Sequence, residues 1–177
     1  MSYSAMAWMC VAISVLLRLM PHPHNMAPIV AIGLFCGATL PKRWAVWTAL
    51  AAMALSDAIL GWLPVHLFGW AAVALSSCIG FSLRSNRGYA RIAGASWIGS
   101  TLFFLISNFG VWALGCGPGW YPPTPGGLAT CYVVGLPFYR NAVIGDWLYS
   151  FVLFGGFELF LQWKLHRSAI PVSLRPR

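Results

Sequence analysis

The first two apolar runs of the chain are separated by the stretch RLMPHPHNMAP, residues 18–28. It contains one Arg, two His, one Asn and three Pro, whereas the residues on both sides are almost all apolar. Because proline holds the residue before it in an extended conformation, the stretch predicts a stiff polar turn between two helices. Such a turn can present hydrogen-bonding groups to a ligand, and the side of the membrane that it faces decides from where the ligand comes.

The composition is that of an integral membrane protein. Of the 177 residues, 59% are hydrophobic and only 8% are charged, with a mean hydropathy of +0.74. A soluble domain carries about 25% charged residues, so this chain cannot cover a water-facing surface. The first apolar run is expected to be a mature helix rather than a signal peptide, because no Lys or Arg precedes Arg18 and no small-residue cleavage site follows it.

The absent motifs and the charge pattern exclude several function classes. The net charge is +8, but the basic residues lie at the ends of apolar runs, where membrane topology places them, so we expect no nucleic acid partner. There is no phosphate-binding glycine loop, no Gly-x-Ser-x-Gly and no His-Glu-x-x-His, so we expect neither an enzyme nor an intrinsic cofactor. The five cysteines show no metal-finger spacing.

Six apolar runs are long enough, or nearly so, to cross a bilayer as helices: residues 3–20, 27–40, 44–63, 65–83, 92–115 and 142–165. Pro and Gly between residues 116 and 141 predict a long loop rather than one long helix there. Its second half, 128–139, could hold a short interfacial helix. A loop of this length suggests a lid over a substrate or an aromatic belt at the membrane surface.

The basic residues also predict the orientation. Nine of the eleven Lys and Arg fall on one side of a six-span arrangement, which leaves Arg18 and Arg140 on the other. The positive-inside rule then places both termini in the cytoplasm of a bacterial inner membrane protein. We expect one transmembrane domain, 1–167, and a basic cytoplasmic tail, 168–177, near anionic lipid.

Ionisable residues inside the apolar runs are the most informative ones, because each is costly to place in lipid. Arg18, Asp57, Arg140 and Asp146 are expected in the outer half of the membrane, with Asp146 one turn into the sixth helix. They could contact a ligand, or they could neutralise one another as a structural network. Glu158 is expected near the inner end, within reach of Lys164 or the basic turn 84–91.

The polar turn itself allows two interpretations. His22 and His24 lie two residues apart in an extended stretch, so both imidazoles could converge on one ligand or metal ion. Alternatively the stretch only caps the second helix, with Asn25 as its N-cap and Pro28 in its first turn.

Two further pairs of side chains can be placed from their spacing. Asn108 and Trp112 lie four residues apart on the fifth helix and therefore share a face. Cys116 and Cys131 lie in the long loop, where they could form a disulfide.

Five motifs, in this order along the chain, resemble one family: residues 18–28, SDAILG at 56–61, SNFGVW at 107–112, PFYRNAVIGD at 137–146 and FGG at 154–156. It is a family of small bacterial six-helix membrane proteins similar to the substrate-binding S components of energy-coupling-factor vitamin transporters. Its nearest characterised relatives are the BtuM-type cobalamin transporters.

The resemblance implies an S-component fold that binds a vitamin from outside the cell, with cobalamin or a related corrinoid as the transported ligand. The implied substrate-binding residues are His22, His24, Asn25, Asp57, His66, Asn108, Trp112, Tyr121, Tyr132, Arg140, Asn141 and Asp146. A soft thiolate suits the corrin cobalt, and Cys78 on the fourth helix is the expected ligand, with His24 as the alternative. Another vitamin-like solute and a non-transporting scaffold remain open as functions.

The resemblance also implies an ATPase-driven partner module, which docks through an Ala-x-x-x-Ala face of the first helix. The first helix here offers no pair of alanines with this spacing. A solitary transporter therefore fits the sequence equally well.

Overall fold

The structure is a computed structural model and describes residues 3–21, 23, 25–115 and 121–169. The described residues form six α-helices and no strand, which confirms the all-helical prediction. The helices are α1 (Tyr3–Leu19), α2 (Ile29–Thr39), α3 (Lys42–Leu60), α4 (His66–Gly80), α5 (Tyr89–Leu114) and α6 (Pro125–Ala169), with a 3₁₀ turn at Phe81–Leu83 after α4.

Three segments are long and apolar enough to cross a membrane: residues 66–83, α5 and residues 125–166. Two shorter apolar helices, α1 and α2, accompany them. The chain is therefore a helical membrane protein.

The short helix α2 is the centre of the bundle. Nine of its eleven residues, from Val30 to Ala38, are buried without interruption, so the helix is apolar on every side. It contacts all five other helices. Phe35 anchors it to α6 through edge-on ring contacts with Phe154 and Phe157, at centroid distances of 5.4 and 5.5 Å.

The remaining helices form an incomplete ring around α2. Packing joins α1 to α3, α3 to α4, α4 to α5 and α5 to α6. Between α1 and α6 the described residues leave an apolar groove of about 300 Å³, which Met9, Ile13, Phe157 and Phe160 help to line.

Basic side chains gather at one end of the bundle, which we call the basic end. Lys42 and Arg84 lie over the ring of Phe81, and Arg87 forms an ion pair with Glu158 at 2.9 Å. The predicted position of Glu158 beside the 84–91 turn is therefore confirmed. Arg84 also donates to the carbonyl oxygen of Leu40, the C-cap residue of α2, so a side chain satisfies the C-terminal end of the central helix.

The prediction of a loop up to residue 141 is wrong, because α6 already begins at Pro125 and continues through Pro137. The first part of α6 runs antiparallel to α5 and packs against it closely. A Cβ atom at Gly135 would lie 2.7 Å from Oδ1 of Asn108, so a larger residue there would have to displace the Asn108 side chain. The exposed Pro137 cannot donate a backbone hydrogen bond, yet packing along α5 outweighs that local preference.

The contact between α2 and α4 generates the first testable prediction. A Cβ atom at Gly37 would lie 2.1 Å from the carbonyl oxygen of Ser77, so Gly37→Ala should force the two helices apart and cost about 1–3 kcal/mol. Gly94→Ala is the matched control, because a Cβ atom there meets nothing within 4 Å. The control should leave the stability unchanged or raise it by up to about 1 kcal/mol. Unfolding curves in detergent measure both, and equal stability of the two variants would contradict the packing.

Candidate functional site

The helix α2 begins in the interior of the bundle rather than at its surface. Its N-cap residue is Pro28, which makes no side-chain capping hydrogen bond. Asn25 adopts a left-handed backbone conformation with φ of 59° three residues earlier, so the prediction that Asn25 caps α2 is wrong. The first backbone N–H groups of the helix therefore need another acceptor.

Asp146 of α6 supplies that acceptor. Its Oδ1 accepts from the backbone N–H of Ala31 at 3.3 Å, and its Oδ2 accepts from the hydroxyl of Ser100 at 2.7 Å. Both Asp146 and Ser100 are buried. A carboxylate at a helix N-terminus is also favoured by the helix dipole. The expectation that Asp146 lies one turn into its helix is wrong, because α6 begins 21 residues earlier, about 32 Å along the axis.

A cavity of about 400 Å³ occupies the space beyond the first residue of α2. Ile29 and Met53 lie at the inner end of the cavity. Asp57 near the end of α3 and His66 at the start of α4 lie on the side opposite the basic end. Its polar lining residues are Arg18, Asn25, Asp57, His66, Ser107, Asn108, Tyr121 and Cys131. We call this end of the bundle the cavity end.

One wall of the cavity is an ion pair that is neutral overall. Nη2 of Arg18 lies 2.9 Å from Oδ1 of Asp57, and the two side chains are 14% and 1% exposed. The guanidinium also donates to the hydroxyl of Ser56. Oδ1 of Asp57 is a buried atom that accepts no well-aligned hydrogen bond from the described residues, so its described partner is the ion pair with Arg18.

Aromatic side chains hold the other oxygen of Asp57. Nε1 of Trp70 donates to Oδ2 at 2.7 Å, and Trp62 packs edge-on against both Trp70 and His66. Nδ1 of His66 lies 3.4 Å from the backbone N–H of Leu63, which donates to it. The distance of 3.6 Å from Nδ1 to Oδ2 of Asp57 is too long for a hydrogen bond.

The opposite wall combines an amide with a thiol. Nδ2 of Asn108 donates to the carbonyl oxygen of Phe104 at 2.9 Å. The thiol of Cys131 donates to the backbone oxygen of Asn108 at 3.4 Å. Cys116 lies outside the described residues, as do His22 and His24, so the predicted options for these three residues stay predictions.

The structure brings five of the twelve predicted substrate-binding residues together. Asn25, Asp57, His66, Asn108 and Tyr121 all line the cavity.

The other predicted residues in the described part of the chain lie elsewhere. Trp112 donates from Nε1 to the carbonyl oxygen of Pro122, and Tyr132 donates its hydroxyl to the carbonyl oxygen of Leu105. Asn141 is half-buried on α6 and Arg140 is exposed, and neither lines the cavity. Arg140 therefore does not join Arg18 and Asp57.

The predicted cobalt ligand Cys78 is also away from the cavity. It is exposed and lies two residues before the end of α4 nearest the basic end. Cys131 is the described cysteine that lines the cavity. Its position in the cavity lining could not be predicted, because the sequence predicts a loop at residue 131. Trp70, which donates to Asp57, could have been predicted from its spacing. It lies four residues after His66 on α4, so the two side chains share a helix face.

The fold and the site together define a class: a helical membrane protein with a solute-sized cavity at one end of its bundle. The family model described as a family of unknown function, DUF6580, matches residues 2–170, so the chain belongs to that family. No curated protein and no solved structure matches the chain.

The ion pair in the cavity wall yields a double-mutant prediction. Asp57→Leu leaves the guanidinium of Arg18 without its counter-charge, and Arg18→Met does the same to the carboxylate, so each should cost about 3–5 kcal/mol. The double variant should cost about 1–3 kcal/mol less than the sum, because no lone charge remains. Unfolding equilibria of the four proteins test this, and strictly additive costs would show that the pair is not coupled.

The cap on α2 yields a second prediction. Asp146→Asn keeps an acceptor for the N–H of Ala31, whereas Asp146→Leu removes every acceptor at that position. The leucine variant should therefore be less stable than the asparagine variant by about 1–3 kcal/mol. Unfolding in detergent checks the difference, and a leucine variant as stable as the asparagine variant would contradict the capping role.

Proposed function

We propose that this chain is an uptake protein that binds a vitamin-sized organic solute in the cavity between Asp57, His66 and Asn108. The observation that carries the proposal is the cavity itself, about 400 Å³ in volume and lined by both apolar and polar side chains. Ligand sites for small organic molecules are typically concave, mostly apolar and equipped with a few polar groups that fix orientation. The resemblance to vitamin-binding S components supports the same reading.

The charge distribution supports an orientation with the cavity facing out of the cell. Lys42, Arg84 and Arg87 meet at the basic end, and Asp57 and His66 lie at the other. The positive-inside rule then puts the basic end in the cytoplasm of a bacterial inner membrane protein. With six spans, both termini are cytoplasmic and a solute enters the cavity from the outer side.

The lining favours an uncharged or weakly charged heterocycle. Arg18 and Asp57 neutralise each other, so the wall offers no net charge to attract an ion. Phe103 and Phe138 provide flat apolar surface on the same cavity as Asn108. The side-chain amide of Asn108, which lines the cavity, can accept a hydrogen bond from a ring N–H or amine of the solute.

Cobalamin is the ligand that the family resemblance implies, and it is more than twice as large as the cavity. Its binding requires the cavity walls to move apart, whereas a vitamin with one or two rings fits the described volume. A corrinoid bound there would meet the thiol of Cys131, since that thiol lines the cavity. Thiolate is a soft ligand that suits the corrin cobalt.

Titration calorimetry on the purified protein tests the proposal with thiamin, biotin, riboflavin and cyanocobalamin as probes. One small vitamin should bind with a micromolar or lower Kd, and Asn108→Leu should weaken it about tenfold or more through the lost polar contact. Asn86→Leu is the matched control, because Asn86 is exposed and lies outside the cavity. Binding of no probe below millimolar concentration, or equal weakening by both variants, would overturn the assignment.

An absorbance titration separates the corrinoid from the smaller solutes. If cyanocobalamin is the probe that binds, the Cys131 thiol should lose its proton to solvent, and its thiolate should displace the dimethylbenzimidazole base from cobalt. The absorbance spectrum should shift on this exchange of axial ligands, and Cys131→Ser should abolish the shift. Cys78→Ser is the control and should leave the shift unchanged, since Cys78 lies outside the cavity. Loss of the shift in Cys78→Ser alone would contradict the placement of the ligand.

A further inference from the structure

Arg140 is a charged side chain on the outer surface of the bundle, away from the cavity. It is exposed on α6 and forms no ion pair, hydrogen bond or ring contact within the described part of the chain. The other arginine predicted on its side of the membrane, Arg18, is paired with Asp57.

The depth of Arg140 makes its exposure costly. The hydroxyl of the preceding residue, Tyr139, lies 2.9 Å from the hydroxyl of Thr101 on α5. Thr101 lies twelve residues after Tyr89 and thirteen before Leu114, so it marks the middle of a helix that can cross the membrane. Each end of α5 is therefore about 18–20 Å away. An arginine in the middle of the membrane is costly in lipid. The Arg140 side chain is too short to bring its guanidinium to the water at either surface.

The surroundings of Arg140 form a continuous helix face. Val133, Pro137, Ile144 and Leu148 are all exposed, and their spacing of three or four residues places them on one side of α6 with Arg140. This α6 face is apolar apart from the single guanidinium. A flat apolar stripe with one central charge suits a second helix that brings the opposite charge to the same depth.

The carboxylates of this chain are already engaged, so a second copy does not supply that charge. The sequence contains only three acidic residues. Asp57 pairs with Arg18, Glu158 pairs with Arg87, and Asp146 accepts from Ser100 and the end of α2.

We infer that the α6 face around Arg140 docks a membrane-spanning helix of a different protein, which carries an aspartate or glutamate near the middle of its span. The carboxylate pairs with the guanidinium of Arg140, and the apolar stripe packs along the partner helix. The surface is separate from the cavity, so this inference does not depend on whether the cavity binds a solute.

Photo-crosslinking in cells that naturally produce the chain tests the inference. A photoreactive residue replaces Ile144, which is 49% exposed and one turn from Arg140. The control position is Trp47 on α3, which is 70% exposed on another helix. Position 144 should yield one discrete protein adduct that position 47 does not. Arg140→Leu should reduce its yield about tenfold, the size of an interhelical polar contact in a membrane, and Arg140→Lys should retain part of it.

The identity of the adduct decides the outcome. In support, its crosslinked span holds an Asp or Glu, and replacing that acid with Leu reduces the yield as much as Arg140→Leu does. An arginine at the acid position combined with Arg140→Glu should restore the adduct. The inference is overturned by an adduct that Arg140→Leu leaves unchanged, by an adduct that is a second copy of this chain, by a partner span without an acid, or by adducts with lipid alone. Equal expression and equal melting of the variants in detergent exclude a folding defect.

Discussion

The hydrogen bonds from the start of α2 to Asp146 are the contact on which the rest of the structure depends. Ala31 in the first turn of α2 is fully buried, and an unpaired backbone N–H at such a position costs about 1–3 kcal/mol. Asp146 accepts from Ala31 there, and Arg84 satisfies the opposite end at Leu40. With both ends held by side chains from neighbouring segments, α2 can remain only eleven residues long, about 16 Å.

The shortness of α2 is also the origin of the cavity. The five surrounding helices continue past Ile29, and the space that a longer central helix would fill stays open between them. Two of the three acids lie around this space. Asp146 caps the start of α2 at its inner end, and Asp57 neutralises Arg18 in its wall. Glu158 pairs with Arg87 at the basic end, which leaves Arg140 as a charge that the described chain does not compensate.

Much of the fold could be predicted from the sequence, because apolar runs and prolines mark helices whatever their partners are. The predicted α1 and α5 agree with the structure to within three residues at each end. Gly126, Gly127 and Pro137 oppose a helix locally, so the sequence predicts a loop where α6 begins. The packing of α6 on α5 joins residues far apart in the chain, such as Gly135 and Asn108, and no local pattern reveals it. For the same reason the cap on α2 was assigned to Asn25 rather than to Asp146, which lies 115 residues from Ala31. In the candidate site, the sequence could predict Asp57, His66 and Asn108, because each lies on a helix that the apolar runs mark. It could not predict Cys131 as a lining residue, because that prediction requires the true start of α6.

Thiol accessibility measures most directly whether the start of α2 forms the inner end of an open cavity. In a background with the native cysteines replaced, cysteine is introduced at Ile29, which lines the cavity, or at Ala31, which is fully buried. A small charged methanethiosulfonate reagent added from the cavity side of reconstituted vesicles should modify Ile29→Cys readily and Ala31→Cys hardly at all. Equal modification of both positions, or protection of Ile29→Cys, would contradict the account.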